Sequence, residues 1–206
     1  MSETLPRATL DAYMHQHFGA ALGAVEPIGG GQSNPTFFIT VGAQRLVLRK
    51  QPHGPILKGA HAVDREYRVL EALSKTHVPV PKPLLYCADP EILGTPFYVM
   101  ERIEGRVFHD AALPELSHDE RTALYRSMAE TLARLHALDP NEIGLSDFGR
   151  SGNYFERQLA RWSKQWEESS VHSIPALDRL IEELARALPP DDGILSIVHG
   201  DYRMGN

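Results

Sequence analysis

The amino-acid sequence predicts an α+β protein in which a strand-rich first half is followed by a mainly helical second half. Up to about residue 105, short runs of β-branched and aromatic residues are bounded by glycine and proline, which is typical of strands. Beyond that point, apolar residues recur at helical spacing. With 42% hydrophobic and 23% charged residues in 206, the chain is a poor match to collagen-like, low-complexity or disordered classes.

The first fifty residues predict a helix, a glycine-rich loop and a hairpin. A short amphipathic helix is indicated by the spacing of Leu10, Tyr13, Met14 and Phe18. Residues 29–35 contain three consecutive glycines and a proline, so they form a loop. The β-branched and aromatic runs at 36–41 and 45–49 are separated by Gly42-Ala43-Gln44, which predicts two hairpin strands.

The next fifty residues predict one helix and one further strand. Residues 51–60 are rich in proline and glycine and form a loop, after which apolar residues from Val63 to Leu73 follow helical spacing. Glu66 lies on this helix. The alternating prolines of residues 78–83 favour an extended or polyproline segment, and residues 96–101 form a strand.

The second half predicts three helices and a final strand. Ser117 and Glu120 have the spacing of a capping box at the start of a long helix. Two further apolar stripes run over residues 155–166 and 177–188, and we expect both to be buried in the core. Residues 194–198 predict a short buried strand that leads into the closing sequence HGDYRMGN.

Charge and cysteine content exclude several classes of protein. The net charge is −6, with +1 over residues 1–106 and −7 over residues 107–206, which argues against binding to nucleic acid. The single cysteine, Cys87, cannot form an intramolecular disulfide and favours a reducing compartment. No apolar run is long enough for a membrane span or a signal peptide, so we expect a cytoplasmic protein.

Four features in a fixed order predict phosphoryl-transfer chemistry. A glycine-rich loop can cradle a polyphosphate with its amide groups, and a cation on the next strand, Arg49 or Lys50, can hold phosphate oxygens. Glu66 can fix that cation, although a solvated charge pair is the simpler explanation of the pair alone. Asp201 and Asn206 supply a base for a hydroxyl proton and an amide ligand for Mg²⁺. A zinc site is disfavoured because His199 and Asp201 do not complete a coordination shell.

These motifs together resemble the aminoglycoside phosphotransferase/choline kinase-like superfamily, whose catalytic motif is H-G-D-x-x-x-x-N. More narrowly, they resemble the kinase-like domain of the branch related to acyl-CoA dehydrogenase family members 10 and 11. The resemblance runs from about residue 20 to residue 206 through the segments GGGQSNPTFFIT, VLRKQP, HAVDREYRVLEAL, VPVPKPL, LGTPFYVMERIEGRVF, ETLARLHALDP, GLSDFGRSGNYFERQ and VHGDYRMGN.

The resemblance implies a bilobal, protein-kinase-like fold with a nucleotide-binding N-lobe at 1–103 and a partial helical C-lobe at 104–206. It implies ATP and Mg²⁺ as cofactors and a small-molecule hydroxyl as the phosphate acceptor. The loop over the phosphates would comprise Gly30, Gly31, Gln32, Ser33 and Asn34. Arg49 or Lys50 would contact phosphate with Glu66 as partner, and Glu101 to Ile103 would bind adenine. Asp201 would be the catalytic base and Asn206 a magnesium ligand.

The sequence also leaves a second function open. Asp147-Phe148-Gly149 spells a metal-binding motif of protein kinases, but it precedes the catalytic motif by about fifty residues, so we interpret it as a loop. The superfamily's second metal-binding aspartate lies downstream of its catalytic motif, and the sequence has no counterpart. We therefore expect a shortened C-lobe, and a non-catalytic nucleotide-binding or interaction module is the alternative to a kinase.

Overall fold

A five-stranded antiparallel sheet organises the first half of the chain. The computed structural model describes residues 5–29, 34–54, 61–149 and 152–205. The strands are β1 (Leu22–Pro27), β2 (Thr36–Val41), β3 (Gln44–Lys50), β4 (Pro83–Cys87) and β5 (Phe97–Glu101). The helices are α1 (Arg7–Phe18), α2 (Val63–Leu73), α3 (Pro90–Leu93), α4 (His118–His136), α5 (Tyr154–Ser169) and α6 (Pro175–Arg186). The α+β prediction is thereby confirmed.

The sheet has the order β1-β2-β3-β5-β4, and its centre is the predicted hairpin. The hairpin turn consists of Gly42 and Ala43, one residue shorter than predicted, and Gly42 has a φ of +57°. Glycine reaches this left-handed region at little cost, which permits so tight a connection. Strand β3 therefore pairs with β2 on one side and with β5 on the other.

The two faces of the sheet have different partners. Leu46, Leu48 and Phe97 point to one face, where they form a core with Leu10 and Met14 of α1. Side chains alternate along a strand, so Val47 and Arg49 point to the opposite face. That face carries α2, whose Tyr67 contacts Tyr98 of β5 and Tyr86 of β4.

The capping box predicted at Ser117 is present at the start of α4. The Glu120 carboxylate accepts a hydrogen bond from the Ser117 N–H at 2.8 Å, and the Glu120 N–H donates to the Ser117 hydroxyl at 3.3 Å. The bond from the Ser117 N–H to the carboxylate, followed by the Ser117 side chain, lowers the pKa of Glu120 below its ordinary value. The helix extends to His136, and its Leu135 is buried.

Two compact units emerge from the contacts along the chain. One comprises Met1–Leu135 with His199–Asn206, and the other comprises His136–Val198. The second unit contains α5 and α6, which contact each other. The boundary expected from the sequence between residues 103 and 104 stays a prediction.

Two expectations for the second unit are wrong. The stripes on α5 and α6 are helical, but neither helix buries a residue, and Phe155 and Trp162 are 56% and 55% exposed. Residues 194–198 form no strand, and Ile194 is 76% exposed. A strand needs a neighbour for its backbone hydrogen bonds, and the strands in the described part of the chain all lie between residues 22 and 101.

Three elements escaped the sequence interpretation. Strand β1 is short and contains Gly23 and Pro27, and β4 begins directly in the proline-rich segment at Pro83, so both lack a clear strand pattern. The sequence does contain a capping pattern that predicts helix α3. Asp89 caps this helix by accepting a hydrogen bond from the Glu91 N–H at 2.9 Å. Pro90 follows Asp89 in the sequence, and Gly94 lies at the end of the helix.

Among the described residues, no helix is both long enough and apolar enough to cross a bilayer.

Candidate functional site

The carboxylate of Glu66 is the centre of a side-chain cluster beside the sheet. Its Oε2 atom lies 2.8 Å from Nε of Arg49 and accepts a hydrogen bond from the Tyr98 hydroxyl at 3.0 Å. Its Oε1 atom accepts a hydrogen bond from Nδ2 of Asn34 at 2.7 Å. Three elements therefore meet at one carboxylate: strand β3, strand β5 and the segment that precedes β2.

The two basic neighbours on β3 lie on opposite sides of the sheet. Arg49 shares the face of α2, where its side chain is 28% exposed. Lys50 points to the α1 face and is 1% exposed, with Nζ lying 3.0 Å from Nε2 of His53 and donating to the Leu93 carbonyl at 3.3 Å. The geometry brings Arg49, and not Lys50, to Glu66.

Of the five residues predicted to lie over the phosphates, Asn34 lies within the described residues. Its side chain is held by Glu66 and by His61, whose Nδ1 lies 3.0 Å from Oδ1 of Asn34. Its carbonyl accepts a hydrogen bond from the Thr36 hydroxyl at 2.9 Å. The other predicted members of the loop, Gly30, Gly31, Gln32 and Ser33, lie outside the described residues.

Tyr98 and His61 belong to the cluster but were missed by sequence reasoning. Burial, followed by the charge of Glu66, raises the pKa of Tyr98 far above its ordinary value. Its hydroxyl thus stays protonated and donates to Glu66. Tyr98 is the partner of Arg49 across β3 and β5, so its role depends on a strand pairing that no local motif encodes.

A shallow cavity lies on the same face of the sheet, towards β1. It is lined by Ala24, Glu26, Phe38, Ile39, Thr40, Arg45 and Arg102. The guanidinium carbon of Arg102 lies 3.8 Å from the centre of the Phe38 ring, a cation–π contact. Glu104 forms ion pairs with both Arg45 and Arg102. This face therefore offers an aromatic surface and two cations next to the end of β5.

Glu101 and Ile103 lie where β5 ends. Both the side chain and the backbone of Glu101 bind the backbone of Lys82. Its Oε1 accepts a hydrogen bond from the Lys82 N–H at 2.9 Å, and its N–H donates to the Lys82 carbonyl at 2.9 Å. The Ile103 side chain is 62% exposed. The segment after β5 thus begins at the edge of the Phe38 cavity, which Arg102 lines.

The sequence from His199 to Gly205 forms a loop that is attached to other parts of the first unit. The Tyr202 hydroxyl donates to the Met128 carbonyl of α4 at 2.9 Å, and the Tyr202 ring lies edge-on to His199 at 5.4 Å. Gly205 has a φ of +81°, and a Cβ atom there would lie 2.8 Å from the Phe108 carbonyl oxygen. The Tyr202 bond attaches the loop to α4, and the loop backbone passes close to Phe108 at Gly205.

Asp201 lies on this loop with its side chain exposed. Its Oδ1 accepts from Nε of Arg203 at 3.1 Å, its N–H donates to Nδ1 of His199 at 3.3 Å, and its side chain is 64% exposed. An exposed carboxylate in a fixed loop can accept a proton from a hydroxyl group. Asn206 lies outside the described residues, and within the described ranges no group of three or more His, Cys, Asp or Glu could hold a metal. Asp147 lies in a turn, as the sequence predicted.

Comparison with known protein families gives a match over most of the chain. The model of the phosphotransferase enzyme family matches residues 24–206. Acyl-CoA dehydrogenase family member 11 of Gallus gallus is 47% identical over 197 residues, covering 96% of this chain and 25% of that protein. Family member 10 of Mus musculus is 40% identical over 205 residues, covering 98% of this chain and 19% of that protein. The chain thus spans a quarter or less of these relatives.

Solved structures share the fold. The "putative aminoglycoside phosphotransferase" of Ralstonia eutropha superposes with a TM-score of 0.86 at 44% identity, over 98% of this chain and 60% of that one. The GDP complex of aminoglycoside 2′-phosphotransferase-IIIa gives a TM-score of 0.60 at 17% identity, over 89% of this chain and 59% of that one, and shows the fold alone. The resemblance stated from the sequence motifs is confirmed.

Proposed function

Because the chain belongs to the phosphotransferase enzyme family, we propose that it binds ATP on the α2 face of the sheet and serves transfer of the γ-phosphoryl group to a small-molecule hydroxyl. The observation that carries the proposal is the pairing of Arg49 with Glu66 at 2.8 Å beside the last residue of the glycine-rich loop. A partly exposed cation held by a carboxylate suits a polyphosphate, since the carboxylate fixes the guanidinium and leaves it within reach of an anion.

Each predicted residue has a defined place in this proposal. Arg49 takes the phosphate-binding role that the sequence left open between it and Lys50, because Lys50 is buried on the opposite face. The role of covering the phosphates is assigned to the backbone amides of residues 30–33, which lie outside the described residues, and the segment from Glu101 to Ile103 would bind the adenine next to the Phe38 cavity. Bound Mg²⁺, with Asn206 as a ligand, would neutralise charge on the phosphates.

Asp201 would act on the acceptor hydroxyl. Its carboxylate orients the hydroxyl and accepts the proton as the hydroxyl oxygen bonds to the γ-phosphorus of ATP. The bond from that phosphorus to the β–γ bridging oxygen breaks, so the products are ADP, a phosphate ester and a proton. The attachment of the loop through Tyr202 supports this role, because a base must hold its position against the nucleophile.

The experiment measures MgATP binding and transfer of label from γ-labelled ATP to a panel of amino sugars, polyols and amino alcohols. We expect Arg49→Ala to weaken MgATP binding by roughly tenfold or more, since it removes an ionised hydrogen-bond donor. Arg134→Ala is the matched control, because Arg134 also pairs with a glutamate, Glu130, on the surface of α4. We expect this control to bind MgATP like the wild type.

Asp201→Asn separates binding from chemistry in the same assay. We expect it to keep MgATP binding and to lose label transfer. Label transfer at the wild-type rate in this variant would remove Asp201 from the catalytic role. Wild-type binding without transfer to any acceptor would favour the non-catalytic nucleotide-binding module, and absence of MgATP binding would contradict both functions.

A further inference from the structure

We infer that Asn34 is a positioning residue, which ties the end of the glycine-rich loop to Glu66 and thereby sets the position of Arg49, and that its side chain does not contact phosphate. The inference rests on the proposed function, because Arg49 is there the phosphate-binding cation. It changes the role that the sequence implied for Asn34, which was to line the phosphates together with its loop neighbours.

Burial and hydrogen bonding of the Asn34 side chain support this role. Asn34 is 5% exposed, and in the described part of the chain Lys50 is the other polar or charged residue that is buried. Its Nδ2 donates to Oε1 of Glu66 at 2.7 Å, and its Oδ1 lies 3.0 Å from Nδ1 of His61. Both polar ends of the amide are therefore engaged by protein groups, away from solvent.

The chemistry of the partners fixes the direction of these bonds. An ionised carboxylate only accepts hydrogen bonds, so the NH₂ group of Asn34 must face Glu66. The Oδ1 atom then faces His61, which must donate from Nδ1. Reversing the amide would place two acceptors against each other at Glu66, so the network accepts one orientation of Asn34.

Asn34 holds the Oε1 atom of the Glu66 carboxylate, while Nε of Arg49 lies against the Oε2 atom. Oε2 receives Arg49 and Tyr98, and Oε1 receives Asn34. With donors on both oxygens, the carboxylate cannot rotate without losing a hydrogen bond to a charged group, which is among the stronger kinds in proteins. Removing Asn34 takes away a donor from Oε1, which allows the carboxylate, and Arg49 with it, to move.

The backbone of Asn34 is tied to the sheet at the same place. Its carbonyl accepts from the Thr36 hydroxyl, and the Pro35 carbonyl accepts from the Lys50 N–H at 3.0 Å. Thr36 is the partner of Arg49 across β2 and β3. The loop end is thus anchored to the strand that carries Arg49 by its backbone, and to α2 by its side chain.

Asn34→Asp tests the inference with little change in shape. The new carboxylate meets Glu66 and repels it, so we expect the Arg49 Nε–H resonance to shift or broaden in the absence of nucleotide. We expect affinity for MgATP to fall roughly tenfold or more, while affinity for adenosine, which has no phosphate, changes less than about twofold. Asn34→Ala, which removes the donor without adding charge, should change both readouts in the same direction.

Asn141→Asp is the matched control. Asn141 also donates from Nδ2 to a carboxylate, Oδ1 of Asp139 at 2.8 Å, but it is exposed and lies in the second unit. The substitution changes the same atoms and the same net charge. We expect it to leave the Arg49 resonance and both affinities at their wild-type values.

The outcomes separate this inference from the proposed function. An Arg49 resonance that stays unchanged in both folded Asn34 variants overturns the inference, and so does an equal loss of affinity for MgATP and adenosine. If the wild type binds no MgATP, the proposed function fails. A displaced Arg49 resonance in Asn34→Asp would still support the positioning role in that case.

Discussion

The sheet and the helices α5 and α6 both contain regularly spaced apolar residues but reach opposite degrees of burial. Leu48, Phe97 and Val99 of the sheet are fully buried, whereas Phe155 and Trp162 of α5 are 56% and 55% exposed. Strands β2, β3 and β5 and both helices follow the spacing of their apolar residues. Where the spacing is regular, periodicity predicts the element, but it does not predict whether the apolar side of that element is covered.

The difference follows from the partner that each element has. The sheet presents a broad face, and α1 lies along it with Leu10 and Met14 fully buried. Helices α5 and α6 contact each other, so each covers only the narrow strip that faces its neighbour. Trp166 Nε1, for example, reaches Asp178 of α6 at 3.4 Å, while Trp162, one turn away, stays exposed.

The largest expected effect comes from truncating a buried ring of the sheet. Phe97→Ala should lower the free energy of unfolding by about 3–5 kcal/mol, because it leaves a cavity against α1. Phe155→Ala on α5 makes the same chemical change at an exposed site and should cost less than about 0.5 kcal/mol. Urea unfolding followed by far-ultraviolet circular dichroism measures both, and equal losses would contradict the comparison.

Two glycines in loops test the same contrast between a packed site and an open one. Gly205 and Gly193 have φ values of +81° and +72°, so alanine strains the backbone at both, by about 1–2 kcal/mol each. At Gly205 the new Cβ would also meet the Phe108 carbonyl oxygen, whereas nothing lies within 4 Å at Gly193. Gly205→Ala should therefore destabilise more than Gly193→Ala in urea unfolding. An equal or reversed order would show that the close contact carries no energy.

The smallest expected effect concerns a helix cap. Ser117→Ala should cost about 1 kcal/mol, because it removes the hydroxyl acceptor for the Glu120 N–H at the start of α4. Ser169→Ala is the control, since Ser169 lies at the end of α5 and its hydroxyl only donates to the Gln165 carbonyl. Urea unfolding of the two variants measures the difference, and a loss as large for Ser169→Ala would argue against a specific capping role.

The same variant has a consequence for pH dependence. Because folding lowers the pKa of Glu120, its bonds to Ser117 stabilise the protein above the ordinary glutamate pKa, and this stability is lost as pH falls through the lowered value. Ser117→Ala should raise the pKa of Glu120 towards its ordinary value, which a carboxyl titration by NMR would detect. An unchanged pKa would mean that the Ser117 hydroxyl does not contribute to the shift.

The candidate site was predictable where its residues lie in one motif or one local pattern. The glycine-rich segment, the basic pair on β3, Glu66 and the loop around Asp201 were all found from their order along the chain. Tyr98 and His61 were not, because each joins the cluster through contacts with residues far away in sequence. No feature of the sequence indicates that the side chain of Asn34 points to Glu66.

The sequence by itself determined the elements with regular apolar spacing, such as β3 and α2, and the alternation that sends Arg49 and Lys50 to opposite faces of β3, because both follow from backbone geometry over a few residues. Only the tertiary structure decided which face receives which partner. Helix α1 covers the face of Lys50 and α2 brings Glu66 to the face of Arg49, so packing between distant elements buried one cation and left the other beside a carboxylate. The exposed stripes of α5 and α6 have the same cause, since burial depends on a partner that local spacing does not specify.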